Sequence, residues 1–160
     1  MPTMELPYYK QEQDHTCGAA VARMMVNGLL KINETESFYA TLLKTNVQMG
    51  TMREDFEHLN SLCTLECKTG THASLKTLSE LIKADYAIAL LYMLHLPHDE
   101  PVGHWAVLKK IDEKTITLQD PWMGATHQLP ISAFLENWHS DPNLCGGVKD
   151  PAPWVAIKKK

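Results

Sequence analysis

The chain has 160 residues, 44% of them hydrophobic and 21% charged, with a formal net charge of −4 at pH 7. This composition is that of an ordinary globular protein, and we predict a single domain over residues 1–160, large enough to bury a core without disulfide bonds. The modest negative charge provides no electrostatic basis for binding nucleic acid. The longest apolar run, residues 86–94, is much shorter than the roughly twenty residues of a membrane-spanning helix.

The N-terminal segment, residues 1–10, contains an acidic residue and prolines where a secretory signal needs an apolar stretch. We therefore expect a cytoplasmic protein. In that setting the cysteines are expected to be free thiols and not disulfide partners. They are Cys17, Cys63, Cys67 and Cys145.

Hydrophobic periodicity predicts four helices in the first half of the chain. They cover residues 18–30, 34–43, 51–62 and 74–83. The first is apolar nearly all round and is expected to be buried, with Cys17 at its N-terminus. The third begins at Thr51 and has Glu54 three residues later, which matches a capping box.

After residue 83 the pattern changes and favours strands. A dense apolar run covers residues 84–94, segments 104–111 and 115–119 form a predicted hairpin, and a last strand covers 154–157. A short helix is predicted over 130–138, with Pro130 just inside its start. Helices followed by strands indicate an α+β fold, in which an antiparallel sheet packs on the buried first helix.

Cys17 is a candidate nucleophile because it directly precedes the predicted buried helix. A helix N-terminus favours negative charge, and the thiolate is the nucleophilic form of cysteine. Gly18 and the alanines after it allow other backbone to approach closely. A buried structural cysteine is the alternative, and on this segment alone it is the more common outcome.

His104 and Asp120 stand at the two ends of the predicted hairpin. Because the hairpin is short, the end of its second strand is expected to lie near the start of its first. An imidazole there can take a proton from a thiol and return it to a leaving amine, while a carboxylate can hold its tautomer. Taken alone, a core histidine and an Asp-Pro turn are the better explanations, but together with Cys17 they predict a catalytic triad.

A side-chain amide can stabilise the oxyanion of a tetrahedral intermediate, together with the backbone N–H of the nucleophile. Two glutamines are candidates for this role: Gln11 lies six residues before Cys17, and Gln13 lies four residues before it. The residue pattern alone leaves the choice open.

Three segments of the chain resemble a known family. They are residues 11–20 (QEQDHTCGAA), 103–108 (GHWAVL) and 118–122 (LQDPW). In this order and at this spacing they resemble the bacteriocin-processing peptidases, papain-like cysteine proteases that cut leader peptides after a Gly-Gly pair. The resemblance extends over residues 6–157, and it implies a single peptidase-like domain with N-terminal helices and a C-terminal antiparallel sheet.

The resemblance also implies a role for each candidate residue. Cys17 corresponds to the nucleophile, His104 to the base and Asp120 to the residue that orients the base. Gln11 corresponds to the oxyanion donor of the family, which favours it over Gln13. The expected activity is that of a cysteine-type peptidase acting through a thioester intermediate.

Many members of this family are N-terminal domains of ABC exporters, whereas others are free-standing. Since this chain ends at Lys160 without exporter domains, we expect a free-standing relative, and the substrate class does not carry over from the resemblance. A peptide or protein with a Gly-Gly site is one candidate, and a ubiquitin-like tail cut at an isopeptide bond is another. A transglutaminase-like or acyltransferase-like enzyme would pass the same thioester to an amine.

A rival hypothesis is a catalytically silent module that binds a Gly-rich peptide, although the retained Cys17 counts against it. No cofactor or metal is expected, because the spacing of His58, Cys63, Cys67 and His72 does not match a zinc site. The Gly146-Gly147 pair after Cys145 resembles a cleavage site, but a surface turn explains it better.

Overall fold

The computed structural model of the protein describes residues 5–144 and 146–160. The helices are α1 (Cys17–Leu30), α2 (Glu36–Leu42), a 3-10 helix (Arg53–Leu62), α3 (Leu75–Lys83) and α4 (Ile131–Asn137). The strands are β1 (Leu65–Gly70), β2 (Ala87–Leu94), β3 (Val102–Ile111), β4 (Thr115–Asp120), β5 (Gly124–Pro130) and β6 (Trp154–Lys159). The predicted α+β class is therefore confirmed.

All strands belong to one six-stranded antiparallel sheet with the order β1-β6-β2-β3-β4-β5. Strands β2 to β5 follow one another as neighbours. Strand β6, the last in the chain, lies between β1 and β2, so that the C-terminal segment completes the interior of the sheet. Residues Val155, Ala156 and Ile157 of this strand have no exposed surface.

The two faces of the sheet carry separate hydrophobic clusters because side chains alternate along each strand. On one face, Trp105 and Val107 of β3 pack with α1, α2 and the 3-10 helix. On the other face, Ala106 of β3 and Leu90 of β2 pack with α3 and α4. Helix α1 has eleven buried residues out of fourteen, which confirms the burial that its all-round apolar sequence predicted.

The predicted capping box at Thr51 is wrong. The third helix is a 3-10 helix that begins at Arg53, and its N-cap residue makes no side-chain capping hydrogen bond. The Thr51 hydroxyl is instead 2.7 Å from the Thr45 hydroxyl, and Thr51 is buried against the start of α1. A capping box does begin α3, where Ser74 and Thr77 bond to each other's backbone N–H.

Strands β1 and β5 were not predicted. Both are edge strands of the sheet, and both mix polar with apolar residues, so they lack the continuous apolar signal of the interior strands. Most of the predicted element boundaries also shift, by one to three residues. Strand β3 begins at Val102, so His104 lies inside the strand, and α4 begins at Ile131, directly after Pro130.

Cys17, Cys63 and Cys67 are free thiols as predicted, whereas Cys145 lies outside the described residues. Within the described ranges, no helix combines the length and the apolar character needed to cross a bilayer.

Candidate active site

Cys17 is the first residue of α1, and only 8% of its surface is exposed. The turn before it is closed by Thr16, whose hydroxyl accepts a hydrogen bond from Gln13 N at 3.1 Å and donates one to Gln13 O at 3.0 Å. The residue after it, Gly18, faces Thr51 so closely that an added Cβ would lie 2.3 Å from Thr51 Oγ1. A glycine therefore lets the loop at Thr51 pack directly beside the thiol.

His104 lies in β3, directly opposite Tyr92 of β2, and is almost fully buried. Its Nε2 is 2.6 Å from Asp120 Oδ1, at the end of the neighbouring strand β4. The structure thus brings together the two residues at the ends of the hairpin. Because Nε2 bonds to Asp120, Nδ1 is the ring nitrogen that this bond leaves free.

The Asp120 carboxylate is completely buried and is surrounded by hydrogen-bond donors. Besides His104, Oδ1 accepts bonds from the backbone N–H groups of Trp122 at 2.8 Å and Met123 at 3.0 Å. Oδ2 accepts a bond from the Tyr92 hydroxyl at 2.5 Å. These donors compensate for the loss of water around the charge, which would otherwise make its burial costly.

Electrostatics favour the charged forms of this pair. Burial raises the pKa of Asp120, but the hydrogen bond and positive charge of His104, together with the Tyr92 hydroxyl, outweigh burial and leave that pKa below its ordinary value. Burial lowers the pKa of His104, but Asp120 and the nearby Cys17 outweigh this effect and raise it to about 10.

The backbone of the loop before Cys17 is anchored at two consecutive residues, Gln11 and Glu12. Gln11 N donates to Pro121 O at 3.0 Å, which ties the loop to the segment just after Asp120. Glu12 N donates to both carboxylate oxygens of Glu36, at 3.1 and 3.2 Å. Glu36 is buried at the start of α2, and sequence analysis had not identified it.

The Gln11 side chain is buried beside this loop, whereas Gln13 is exposed. The Gln11 amide Nε2 donates to Gln13 O at 2.8 Å and to Asp14 O at 3.2 Å. Within the described residues its Oε1 is buried without a hydrogen-bond partner. The amide therefore holds the loop in the free protein, and donating to an oxyanion requires it to release one of the two carbonyls.

Two cavities lie near the site. The first, of about 70 Å³, lies beside Cys17 and is lined by Thr51, Met52, Leu91, Gly103, Trp105 and Leu144, among others. The second, of about 1000 Å³, lies on the Tyr92 side and is lined by residues that include Met123 and Phe134. Asp141 lines both cavities, and its carboxylate accepts a bond from Gly103 N at 3.3 Å.

The remaining candidates of the sequence analysis do not form a second site. His58 is 3.4 Å from Asp55, Cys63 is exposed, and the buried Cys67 thiol donates to Phe56 O at 3.2 Å. Among the described residues, no group of three or more histidine, cysteine or acidic side chains is placed to hold a metal ion. Trp105 is buried and lines the small cavity, whereas Trp122 is 42% exposed.

Sequence analysis also missed Tyr92, which bonds to Asp120. A signal for it existed, because a tyrosine within the apolar run at 84–94 needs a partner for its hydroxyl once the run is buried. The identity of that partner depends on the register of β2 against β3, which the sequence pattern did not specify.

The family of this chain follows from a match over most of its length. The model of the Peptidase_C39 like family matches residues 3–145. The chain belongs to this family. The resemblance drawn from the three sequence segments is thereby confirmed, and so is the enzyme class, a cysteine-type peptidase.

Solved structures share the fold. The peptidase domain of Streptococcus ComA, a bifunctional ABC transporter of a quorum-sensing pathway, superposes with a TM-score of 0.71 at 16% identity, covering 98% of this chain and 99% of that one. A C39-like peptidase from Bacillus anthracis gives a TM-score of 0.69 at 14% identity, with coverages of 98% and 96%. The predicted papain-like arrangement is thus confirmed.

A third structure is a double glycine motif protease from an AMS/PCAT transporter, solved in complex with its leader peptide. It gives a TM-score of 0.67 at 15% identity and covers 99% of this chain and 94% of that one. No curated protein sequence matches the chain.

Proposed function

We propose that this peptidase uses Cys17 as nucleophile, His104 as general base and acid, and Asp120 as the residue that orients His104. The observation that carries the proposal is the 2.6 Å bond between His104 Nε2 and Asp120 Oδ1, in a buried site beside a thiol at a helix N-terminus. The bond fixes the imidazole so that its other nitrogen serves Cys17. This is the division of roles in other nucleophile–base–acid triads.

The reaction proceeds in two halves. Cys17 Sγ, deprotonated by His104, attacks the carbonyl carbon of the substrate, and the imidazolium then protonates the leaving amine as the C–N bond breaks. His104 next removes a proton from water, which attacks the thioester and releases the carboxylic acid. The proton taken from water returns to the thiol, so that Cys17 and His104 regain their starting states.

The developing oxyanion needs donors that are already in place. The backbone N–H of Cys17 is one proposed donor, since the first N–H groups of a helix have no partner within it. The Gln11 amide is the other, and its NH2 group donates a hydrogen bond to the oxyanion in place of one of its two bonds to backbone carbonyls. The two bonds of Nε2 to the carbonyls of Gln13 and Asp14 are the contacts from which one would be exchanged.

We further propose a substrate with glycine next to the scissile bond, such as a Gly-Gly leader or a ubiquitin-like tail. The cavity beside Cys17 supports this choice: at about 70 Å³ it is much smaller than the roughly 300–1,000 Å³ of an ordinary ligand pocket. Trp105 and Leu91 narrow it, so a residue without a side chain is the one that fits most easily. The similar double glycine motif protease is a precedent for such a substrate.

A cleavage assay tests both proposals. Wild type, Cys17→Ala and the control Cys63→Ala are incubated with Gly-Gly leader peptides and ubiquitin-like conjugates, and the products are read by mass spectrometry. We expect cleavage after glycine by wild type and Cys63→Ala, but not by Cys17→Ala. An added amine distinguishes hydrolysis from acyl transfer, since a transferase would convert it into a new amide product.

If wild type and Cys17→Ala bind these peptides equally and neither cleaves any of them, the catalytic proposal fails and the silent binding module replaces it. Equal cleavage by both proteins would place the nucleophile elsewhere.

A further inference from the structure

Tyr92 and His104 are direct neighbours across the β2–β3 pair. Their rings meet edge to face, with centroids 5.8 Å apart and an interplanar angle of 76°. The phenol therefore covers one side of the imidazole. Its own ring is held in turn by Phe134 of α4, at a centroid distance of 6.1 Å.

The Tyr92 hydroxyl reaches past His104 to the carboxylate behind it. It donates to Asp120 Oδ2 at 2.5 Å, and both residues are buried. Asp120 Oδ1 already accepts hydrogen bonds from His104 and from the backbone N–H groups of Trp122 and Met123. Among the described residues, Oδ2 is bonded only to Tyr92. The Tyr92 hydroxyl therefore fixes the position of this second oxygen and restricts rotation of the carboxylate group.

We propose that Tyr92 is a positioning residue of the peptidase, extending the triad to a chain of four side chains, Cys17–His104–Asp120–Tyr92. The inference rests on the proposed function, because it assigns Tyr92 a role only if His104 and Asp120 activate Cys17. Tyr92 acts in two ways. Its hydroxyl fixes the carboxylate that orients His104, and its ring prevents the imidazole from turning away from the thiol.

Removing the hydroxyl has a definite electrostatic consequence. The titratable groups that face Asp120 in the described structure are His104 from β3, Tyr92 from β2 and Tyr8 from the N-terminal segment, with Cys17 of α1 beyond His104. Without the Tyr92 donor, the carboxylate binds a proton more strongly. The His104–Asp120 pair then keeps its shared proton to higher pH.

The pH at which the His104–Asp120 pair loses its proton can be measured by alkylating Cys17 with iodoacetate. This reaction requires no known substrate. The anionic reagent reacts fastest while the thiol is ionised and the imidazole is still protonated, so the rate falls when the pair loses its proton at alkaline pH. For Tyr92→Phe we expect the midpoint of this fall to move up by about one pH unit. The maximal rate should drop by about tenfold, because the imidazole is less well held.

The matched control is Tyr86→Phe. Tyr86 is also buried, and its hydroxyl donates to a carboxylate, Glu66 Oε2, at 2.6 Å. Glu66 lies on β1, at the opposite edge of the sheet from the site. We expect this variant to keep the wild-type profile.

The outcomes separate the two proposals. If Cys17 of the wild type reacts no faster than Cys63 at any pH, the proposed function fails and this inference falls with it. If wild type shows the activated profile but Tyr92→Phe only lowers the rate, with an unchanged alkaline midpoint, Tyr92 has a merely structural role and this inference alone is overturned. In an Asp120→Asn background, Tyr92→Phe should cause no further shift.

If Tyr92→Phe does not fold, a fluorinated tyrosine placed at position 92 keeps the ring and the hydroxyl but makes the hydroxyl a stronger donor. The alkaline midpoint should then move to lower pH, opposite to the phenylalanine variant. A midpoint that stays at the wild-type value would overturn the inference.

Discussion

Gly18 faces Thr51 so closely that a single added carbon atom would overlap it. An ideal Cβ would lie 2.3 Å from Thr51 Oγ1 and 2.4 Å from Thr51 Cβ. The contact joins the start of α1 to a loop that also accepts a hydrogen bond from Trp105 Nε1 at 3.0 Å. The position of Cys17, the proposed nucleophile, therefore depends on a neighbour that carries no side chain.

Gly18→Ala is expected to destabilise the protein by about 1–3 kcal/mol, because overlap in a packed interior forces the backbone apart. It should also reduce the reactivity of Cys17, since the start of α1 must move. Denaturant unfolding and the alkylation rate measure the two effects. Replacing Thr51 by glycine should restore part of the loss in the double variant. If the Gly18→Ala protein were as stable as wild type, the loop at Thr51 would be able to move aside without loss of unfolding free energy.

Asp120→Asn is expected to lower peptidase activity by at least about a hundredfold. The amide carries no charge to stabilise the imidazolium, and its NH2 group can turn towards His104 and favour the wrong tautomer. Asp112→Asn is the control, because Asp112 is exposed and forms an ion pair with Lys110 at 3.6 Å. Initial rates of substrate cleavage, or of Cys17 alkylation, measure the difference. Activity within a few fold of wild type would remove Asp120 from the mechanism.

The stability of the protein should depend on pH through the His104–Asp120 pair. The pKa of His104 is raised to about 10, so its stabilisation is full below the unfolded value near 6.5 and is lost as pH rises towards 10. The pKa of Asp120 is lowered, so its stabilisation is present above the unfolded value near 3.9 and is lost as pH falls below it. The contribution of the pair is thus largest between about pH 4 and 6.5.

Unfolding free energies of wild type and a His104→Gln/Asp120→Asn variant, measured from pH 4 to pH 10, test this dependence. The difference between the two proteins should narrow as pH rises above 6.5. A difference that stays constant over the whole range would mean that the pair does not change its protonation on folding.

The free thiols should react in a fixed order. Burial raises the pKa of Cys67 to about 12, and its thiol donates to Phe56 O, so Cys67 is expected to stay unmodified until the protein unfolds. Cys63 is exposed, so the reagent can reach it in the folded protein. Cys17 should react faster than Cys63 at mildly acidic pH, where few ordinary thiols are ionised. Mass spectrometry of the modified peptides, with urea-unfolded protein as control, gives the three rates. Faster labelling of Cys63 than of Cys17 at that pH would contradict an activated nucleophile.

Local sequence patterns predicted the parts of the site that depend on neighbouring residues. The all-round apolar segment at 18–30 predicted a buried helix behind Cys17, because a helix with no polar face must be covered on every side. The short hairpin predicted that His104 and Asp120 meet, since antiparallel strands joined by a tight turn keep their ends together. Gln11 was favoured over Gln13 by the family resemblance alone, because spacing along the chain does not show which of the two amides is buried.

The tertiary structure decided what depends on contacts between distant segments. Strand β6 enters the sheet between β1 and β2, and the edge strands β1 and β5 form because interior strands offer them hydrogen-bond partners. Tyr92 meets Asp120 across 28 positions of sequence, through a register that no local pattern encodes. Thr51, which was predicted to cap its own helix, is placed by its packing against α1. Local periodicity determines which face of an element is buried, but only the assembled fold determines which side chains meet there.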